Sequence, residues 1–173
     1  LKDDLFRIYS MTKPVTAVAI MQLYEQGKFS LNDPVSKFLP EFNNLKVLNE
    51  DGDLESISTT MRMHHLLTHT AGFSYGFSDD QVDIQYSNAD LFLSENLEDF
   101  VNRVAKLPLK YQPGTRYHYS IAVDLTGLII ERLSGQSLDK YFTENIFEPL
   151  GMKDTFFRVP KNKRGRFLTR YRY

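Results

Sequence analysis

Val15, Val18, Ala19, Ile20, Met21 and Leu23 fall within one helical stretch that begins near Ser10 and is closed by Gly27. Its apolar side chains cover nearly every face. A helix of that kind is predicted to lie in the middle of a folded domain rather than on its surface. Pro14 does not interrupt it, because the first four helical N–H groups have no partner within the helix. A buried helix needs a core around it, and 173 residues are enough to supply one.

The segments around this helix are read from spacing and punctuation. Leu5 to Tyr9 reads as a short strand feeding into it. Asp33-Pro34 supplies an N-cap and first helical position for a short helix ending near Pro40. Residues 43–60 are polar and turn-rich, fitting a loop or a small hairpin around Asp51-Gly52. A short helix is predicted around His64 to His69, stopped by Gly72, and residues 74–94 read as a long surface excursion. Leu97, Phe100, Val101, Val104 and Ala105 form an amphipathic helix ending before Pro108. Gln112-Pro113-Gly114-Thr115 is a turn. Ile121 to Leu133 repeats apolar residues at helical spacing and is closed by Gly135. Ser137 caps a further helix carrying Leu138, Tyr141, Phe142 and Ile146. Thr155 to Phe157 and Arg166 to Tyr173 read as strands.

Composition removes several classes of function. A net charge of −1 gives no general attraction to nucleic acid, and no apolar run is long enough to span a bilayer. Cysteine is absent, which excludes disulfides and thiol catalysis. The chain starts at Leu1 and stops within an alternating stretch, so it is expected to be a fragment cut at both ends.

The chemistry-bearing feature is Ser10-Met11-Thr12-Lys13, at the head of the apolar helix. Residues three apart share a helical face, so the Lys13 amine can approach the Ser10 hydroxyl. A serine hydroxyl is a weak nucleophile until a neighbour takes its proton, and a lysine held against apolar walls can accept one. The helix N-terminus favours a developing oxyanion. The same spacing also suits a plain helix cap beside a solvated lysine, which is the commoner use of such residues.

Context decides between them. The run Phe6-Arg7-Ile8-Tyr9-Ser10-Met11-Thr12-Lys13-Pro14-Val15-Thr16 resembles the nucleophile segment of family VIII carboxylesterases, relatives of class C β-lactamases and penicillin-binding carboxypeptidases. Leu66-Leu67-Thr68-His69-Thr70-Ala71-Gly72, Pro113-Gly114-Thr115-Arg116-Tyr117-His118-Tyr119-Ser120 and Pro149-Leu150-Gly151-Met152 resemble that family in the same order. The resemblance implies an α+β fold of the β-lactamase/transpeptidase type, a helical region on an antiparallel sheet most of which is missing. Residues 1–173 would then be the amino-terminal part of a single catalytic domain. The resemblance also implies hydrolysis of a small-molecule carboxylic ester through an acyl-enzyme. Ser10 would attack, and Lys13 and Tyr119 would move the proton, with no cofactor and no metal. Ile121 stands where lactamase-type relatives often carry Asn, which suits the esterase branch. A β-lactam or D-amino-acid peptide substrate, or a non-catalytic binding protein on the same fold, are the alternatives. The family's third element, on a strand near the carboxyl end, would fall beyond Tyr173.

Three other signals compete. Gly72-Phe73-Ser74-Tyr75-Gly76 fits the G-x-S-x-G pattern, but that elbow needs a strand before the serine and a helix after it. His65 and His69, four apart, lack a third ligand and are expected to pack and hydrogen-bond rather than hold a metal. Lys161, Lys163, Arg164, Arg166, Arg170 and Arg172 make the tail basic, but they alternate with Phe167, Leu168, Tyr171 and Tyr173 as the wet face of a strand would. No nucleic-acid partner is expected from them.

Overall fold

The computed structural model describes residues 3–169. Its first long helix, α1 (Thr12–Glu25), follows a tight turn at Tyr9–Met11. Then come a two-stranded antiparallel hairpin of β1 (Lys46–Leu48) and β2 (Leu54–Ser56), and the helices α2 (Met63–Leu67) and α3 (Gln81–Asn88). The remaining helices are α4 (Leu97–Val104), α5 (Ala122–Ser134) and α6 (Leu138–Phe142). Among the described residues no helix is long and apolar enough to cross a membrane.

The central helix is α5, not α1. Val123, Leu125, Leu128, Ile129 and Ile130 are all buried, and α5 touches α1, α2, α4 and α6. Gly127 makes this possible. A Cβ there would stand 3.2 Å from Leu138 and 3.5 Å from Leu97, so glycine lets α4 and α6 close in. On α1 only Thr16, Ala19, Ile20 and Leu23 are buried, a single stripe at helical spacing facing α5, while Val18 is half exposed. The expectation of an all-round buried α1 is thus corrected: apolar composition on every face does not by itself say which face finds a partner.

The hairpin, α4 and the turn at Gln112 to Thr115 lie where the sequence puts them. Asn49 closes the hairpin by accepting the N–H groups of Asp51 and Asp53 on its side-chain oxygen. Other expectations change. Asp33 does not cap a helix: Pro34 is extended and only a short turn at Val35–Lys37 follows, while the Asp33 carboxylate accepts from the Ser30 N–H and Lys37. The helix over His64 ends at Leu67, and His69, at φ +54°, already turns the chain before Gly72, itself at φ +90°, is reached. The supposed surface excursion contains α3, capped by Asp80 and burying Val82, Asp83 and Tyr86. Ser137 stands at the start of α6, but its hydroxyl goes to Asp139; Glu131 at the end of α5 accepts the Leu138 N–H instead.

Among the described residues the strands expected at the two ends show one parallel bridge, between Leu5 and Phe167. Thr155 to Phe157 is irregular, and Lys161–Arg166 forms tight helical turns rather than a strand. Lys163 and Arg166 both pair with Asp154, so these basic residues brace the chain on itself. Residues 170–173, including Arg170, Tyr171, Arg172 and Tyr173, lie outside the described part.

Leu109 is bound to β1 through two backbone hydrogen bonds, and the chain from there to residue 121 is stitched to residues 69–74. Lys110 donates to the Gly72 carbonyl at 2.7 Å, Gly114 to Thr70 at 2.8 Å and His118 to His69 at 2.8 Å. Gly72 accepts this closeness at φ +90°, where a Cβ would collide with the Tyr111 carbonyl oxygen.

Candidate active site

That stitching carries Tyr75 and Tyr119 to the head of α1, where their rings lie 5.4 Å apart. Ser10 sits in the turn just before α1 and caps nothing. Its hydroxyl instead faces the Tyr119 hydroxyl at 2.5 Å, with the Lys13 amine 3.4 Å away. The three residues singled out from sequence are therefore brought together across 109 positions of chain.

Lys13 does not sit against apolar walls, as the sequence reading expects. It donates to the Tyr75 hydroxyl at 2.8 Å, and that hydroxyl donates in turn to Asp124 at 2.6 Å. The Asp124 carboxylate lies 3.9 Å from the amine, and the rings of Tyr75 and Tyr119 flank it at just over 5 Å. These are the surroundings of a partnered cation.

The titration of the two tyrosines diverges. Burial pushes the Tyr119 phenol up, but its bonds to Ser10 and Lys13 and the positive charge of Lys13 outweigh this and hold it below the ordinary 10.0. Burial and the negative charge of Asp124 push Tyr75 far above the phenol range, so it stays protonated as a donor. One tyrosine is prepared to lose a proton and the other to keep it.

His69 holds Tyr119 in place. Its ring lies 4.8 Å from the Tyr119 ring, and its Nδ1 accepts the Ser120 N–H at 3.2 Å, which puts the imidazole proton on Nε2. Burial, reinforced by the charge of Lys13, keeps His69 below the usual imidazole value. His65 is engaged elsewhere, its Nδ1 accepting the Arg62 N–H. The two histidines thus serve separate backbone groups, and among the described residues no cluster of three or more His, Cys, Asp or Glu could hold a metal ion.

Ser74 is placed behind the site, buried, donating to Asp83, with His118 Nε2 at 3.4 Å. Serine, histidine and aspartate do meet here, but the carboxylate engages the serine rather than the histidine, and the serine has no opening to solvent. Asp83 is held by Ser74, Ser78 and Lys110, the last at 2.8 Å, so the group locks the loop that carries Tyr75. Burial pushes the Asp83 carboxyl up, yet these donors more than offset it and keep it below the ordinary value.

Sequence reasoning missed Tyr75 and Asp124. The first was hidden by the neighbouring serine of the glycine-flanked pattern. The second carried a usable signal, a carboxylate in the first turn of a helix that has no other charged residue before Glu131. Together with Ser10, Lys13, Tyr119, Phe77 and Phe92 they line an open cleft of about 350 Å³.

The chain as a whole has relatives among known proteins. The family model described as Beta-lactamase matches residues 2–173. Protein Rv1367c of Mycobacterium tuberculosis is 38% identical over 99% of this chain and 43% of its own length. Esterase EstB of Burkholderia gladioli is 36% identical over 90% of this chain and 39% of its own length. The solved structure of EstCE1, described as a hydrolase with promiscuous acyltransferase activity, superposes with a TM-score of 0.76 at 30% identity. It covers 94% of this chain and 41% of that protein. The chain thus spans less than half the length of these relatives.

Proposed function

Because this chain belongs to the β-lactamase family and has the β-lactamase/transpeptidase-like fold, we propose that the protein is a serine hydrolase cleaving carboxylic esters through an acyl-enzyme. The observation that carries the reading is the Ser10 hydroxyl, 2.5 Å from a phenol of lowered pKa and open to a cleft.

In this mechanism the Tyr119 phenolate takes the proton of Ser10, whose oxygen attacks the ester carbonyl carbon. The tetrahedral intermediate forms near the head of α1, where the helix N-terminus favours negative charge. Its collapse breaks the carbonyl–alkoxy bond, and the leaving alkoxide recovers the proton from Tyr119. Water then gives a proton to Tyr119 and attacks the acyl group, and as this second intermediate collapses Tyr119 returns the proton to the departing Ser10 oxygen and the acid is freed. Lys13 steadies the phenolate, while Tyr75 and Asp124 fix its position.

Esters are favoured over β-lactams by Ile121. It stands where lactamase-type relatives often carry an amide side chain, yet here it is wholly buried and offers the cleft no donor. The name of Esterase EstB supports the same choice.

The test is fluorophosphonate labelling of the intact protein with peptide mapping, beside turnover of p-nitrophenyl butyrate and of nitrocefin. An adduct on Ser10, abolished by Ser10→Ala and retained in Ser74→Ala, with turnover of the butyrate only, is the expected result. Faster turnover of nitrocefin would move the substrate to β-lactams. An intact protein that neither labels nor turns over either substrate would favour a binding protein that has kept the fold.

A further inference from the structure

Two aromatic side chains beside the nucleophile are held out in solvent. Phe77 is 79% exposed and Phe92 is 72% exposed, and both line the cleft that contains Ser10. They are not splayed at random. The Phe77 ring stacks on Tyr75 with 5.0 Å between centroids and 10° between planes, and Phe92 lies near-parallel to Tyr75 at 6.3 Å and 13°. Three rings therefore share nearly one orientation along a wall of the cleft.

The wall is built before any substrate arrives. Phe77 follows Gly76, whose φ of +79° and approach to α3 leave no room for a side chain: a Cβ would stand 2.7 Å from the Ser87 nitrogen. On its other side the Ser78 N–H is fixed to Asp83 at 3.2 Å. Phe92 is set by the turn Leu91–Leu93, anchored by buried Leu91. Exposed aromatic surface costs free energy in water, and a rigid ring gains most from a planar apolar partner.

Charge narrows the partner further. Among the described residues the one cation lining the cleft, Lys13, is taken up by Tyr75 and Asp124, and the Asp124 carboxylate disfavours an anionic group nearby. We propose that Phe77 and Phe92 form a specificity subsite that takes a planar, uncharged aromatic arm of the substrate. The substrate class is thus a neutral aryl-bearing ester rather than a small aliphatic or anionic one. This rests on the ester reading above for its chemistry but not for its binding.

Two measurements on the intact protein separate the claims. Acid release from ethyl acetate, ethyl phenylacetate and benzyl acetate, followed by pH-stat, places the ring on neither, the acyl or the alcohol side. At least one aromatic ester is expected to exceed ethyl acetate about tenfold in kcat/KM, and Phe77→Ala/Phe92→Ala to erase that ratio. A ratio is used because partial unfolding cancels from it. Equal ratios in the parent and the variant would overturn the subsite. Calorimetric binding of 2-naphthaleneboronic acid against methylboronic acid needs a reactive Ser10 but no ester turnover. A preference for the naphthyl compound that the double variant loses supports the subsite even if no ester is cleaved, in which case only the ester reading fails. No preference in the parent protein overturns the subsite whatever the esters do.

Discussion

Replacing Tyr75 by Phe removes one oxygen atom and keeps the ring. That oxygen stands between the Lys13 amine, 2.8 Å away, and the Asp124 carboxylate, 2.6 Å away, while the two charges themselves are 3.9 Å apart. At an effective dielectric of about 20, closing an ion pair from 3.9 Å to a direct contact of about 2.8 Å gains about 1.7 kcal/mol. Without the spacer Lys13 therefore slides toward Asp124 and away from Ser10, to which it is now only 3.4 Å distant. Since about 1.4 kcal/mol is a factor of ten, Tyr75→Phe is expected to lower kcat/KM by about 10- to 100-fold, the upper end including the lost charge-assisted hydrogen bond. Asp124→Asn alone should cost only a few-fold, and in the Tyr75→Phe background it should restore part of the activity by removing the pull on Lys13. Ester turnover in the four proteins of this cycle measures the coupling directly. If Tyr75→Phe stays within threefold of the parent, or if the two losses simply multiply, the spacer role is wrong.

Other expectations concern stability. His65, His69 and His118 are each held below the free value of 6.5, chiefly by burial, so the folded state binds fewer protons than the unfolded chain. Stability is then complete above about pH 6.5 and declines as pH falls toward the folded-state values, which urea midpoints at pH 7.5, 6 and 5 would register; a flat profile would contradict it. Gly72→Ala drives a Cβ into the Tyr111 carbonyl at a left-handed φ, and a loss of about 3 kcal/mol or more in urea unfolding is expected. Lys110→Met leaves the buried Asp83 carboxylate with no charged partner, only the Ser74 and Ser78 hydroxyls and the Ser78 N–H, and should cost about 2–4 kcal/mol at neutral pH. That loss should shrink in acid, where Asp83 can take up a proton; an equal loss at pH 5 and pH 8 would deny Asp83 the role.

Much of the local structure was legible in the chain. Helices α4 and α5 announce themselves by apolar spacing and by the residues that end them, because those signals act within one or two turns. Ser10 and Lys13 are close for the same reason, being three apart on one turn, and Tyr119 was reached through the resemblance of its neighbourhood. What failed were inferences about partners. The first helix was expected to be buried all round, yet only Thr16, Ala19, Ile20 and Leu23 are buried, while Val18 is half exposed. Ser137 was expected to cap its helix, but a glutamate six positions earlier does so.

The sequence by itself determined where α1, α4 and α5 and the turn at Gln112 to Thr115 fall and which serine heads the apolar helix, since propensity, periodicity and capping are properties of neighbouring residues. Only the tertiary structure decided that Lys13 is partnered by Tyr75 and Asp124, that Ser74 is sealed inside and that Tyr75 completes the site. Those outcomes depend on residues 49 to 111 positions apart meeting in the fold. There the charge and burial of a group follow from whatever the fold places around it, and no local pattern records that.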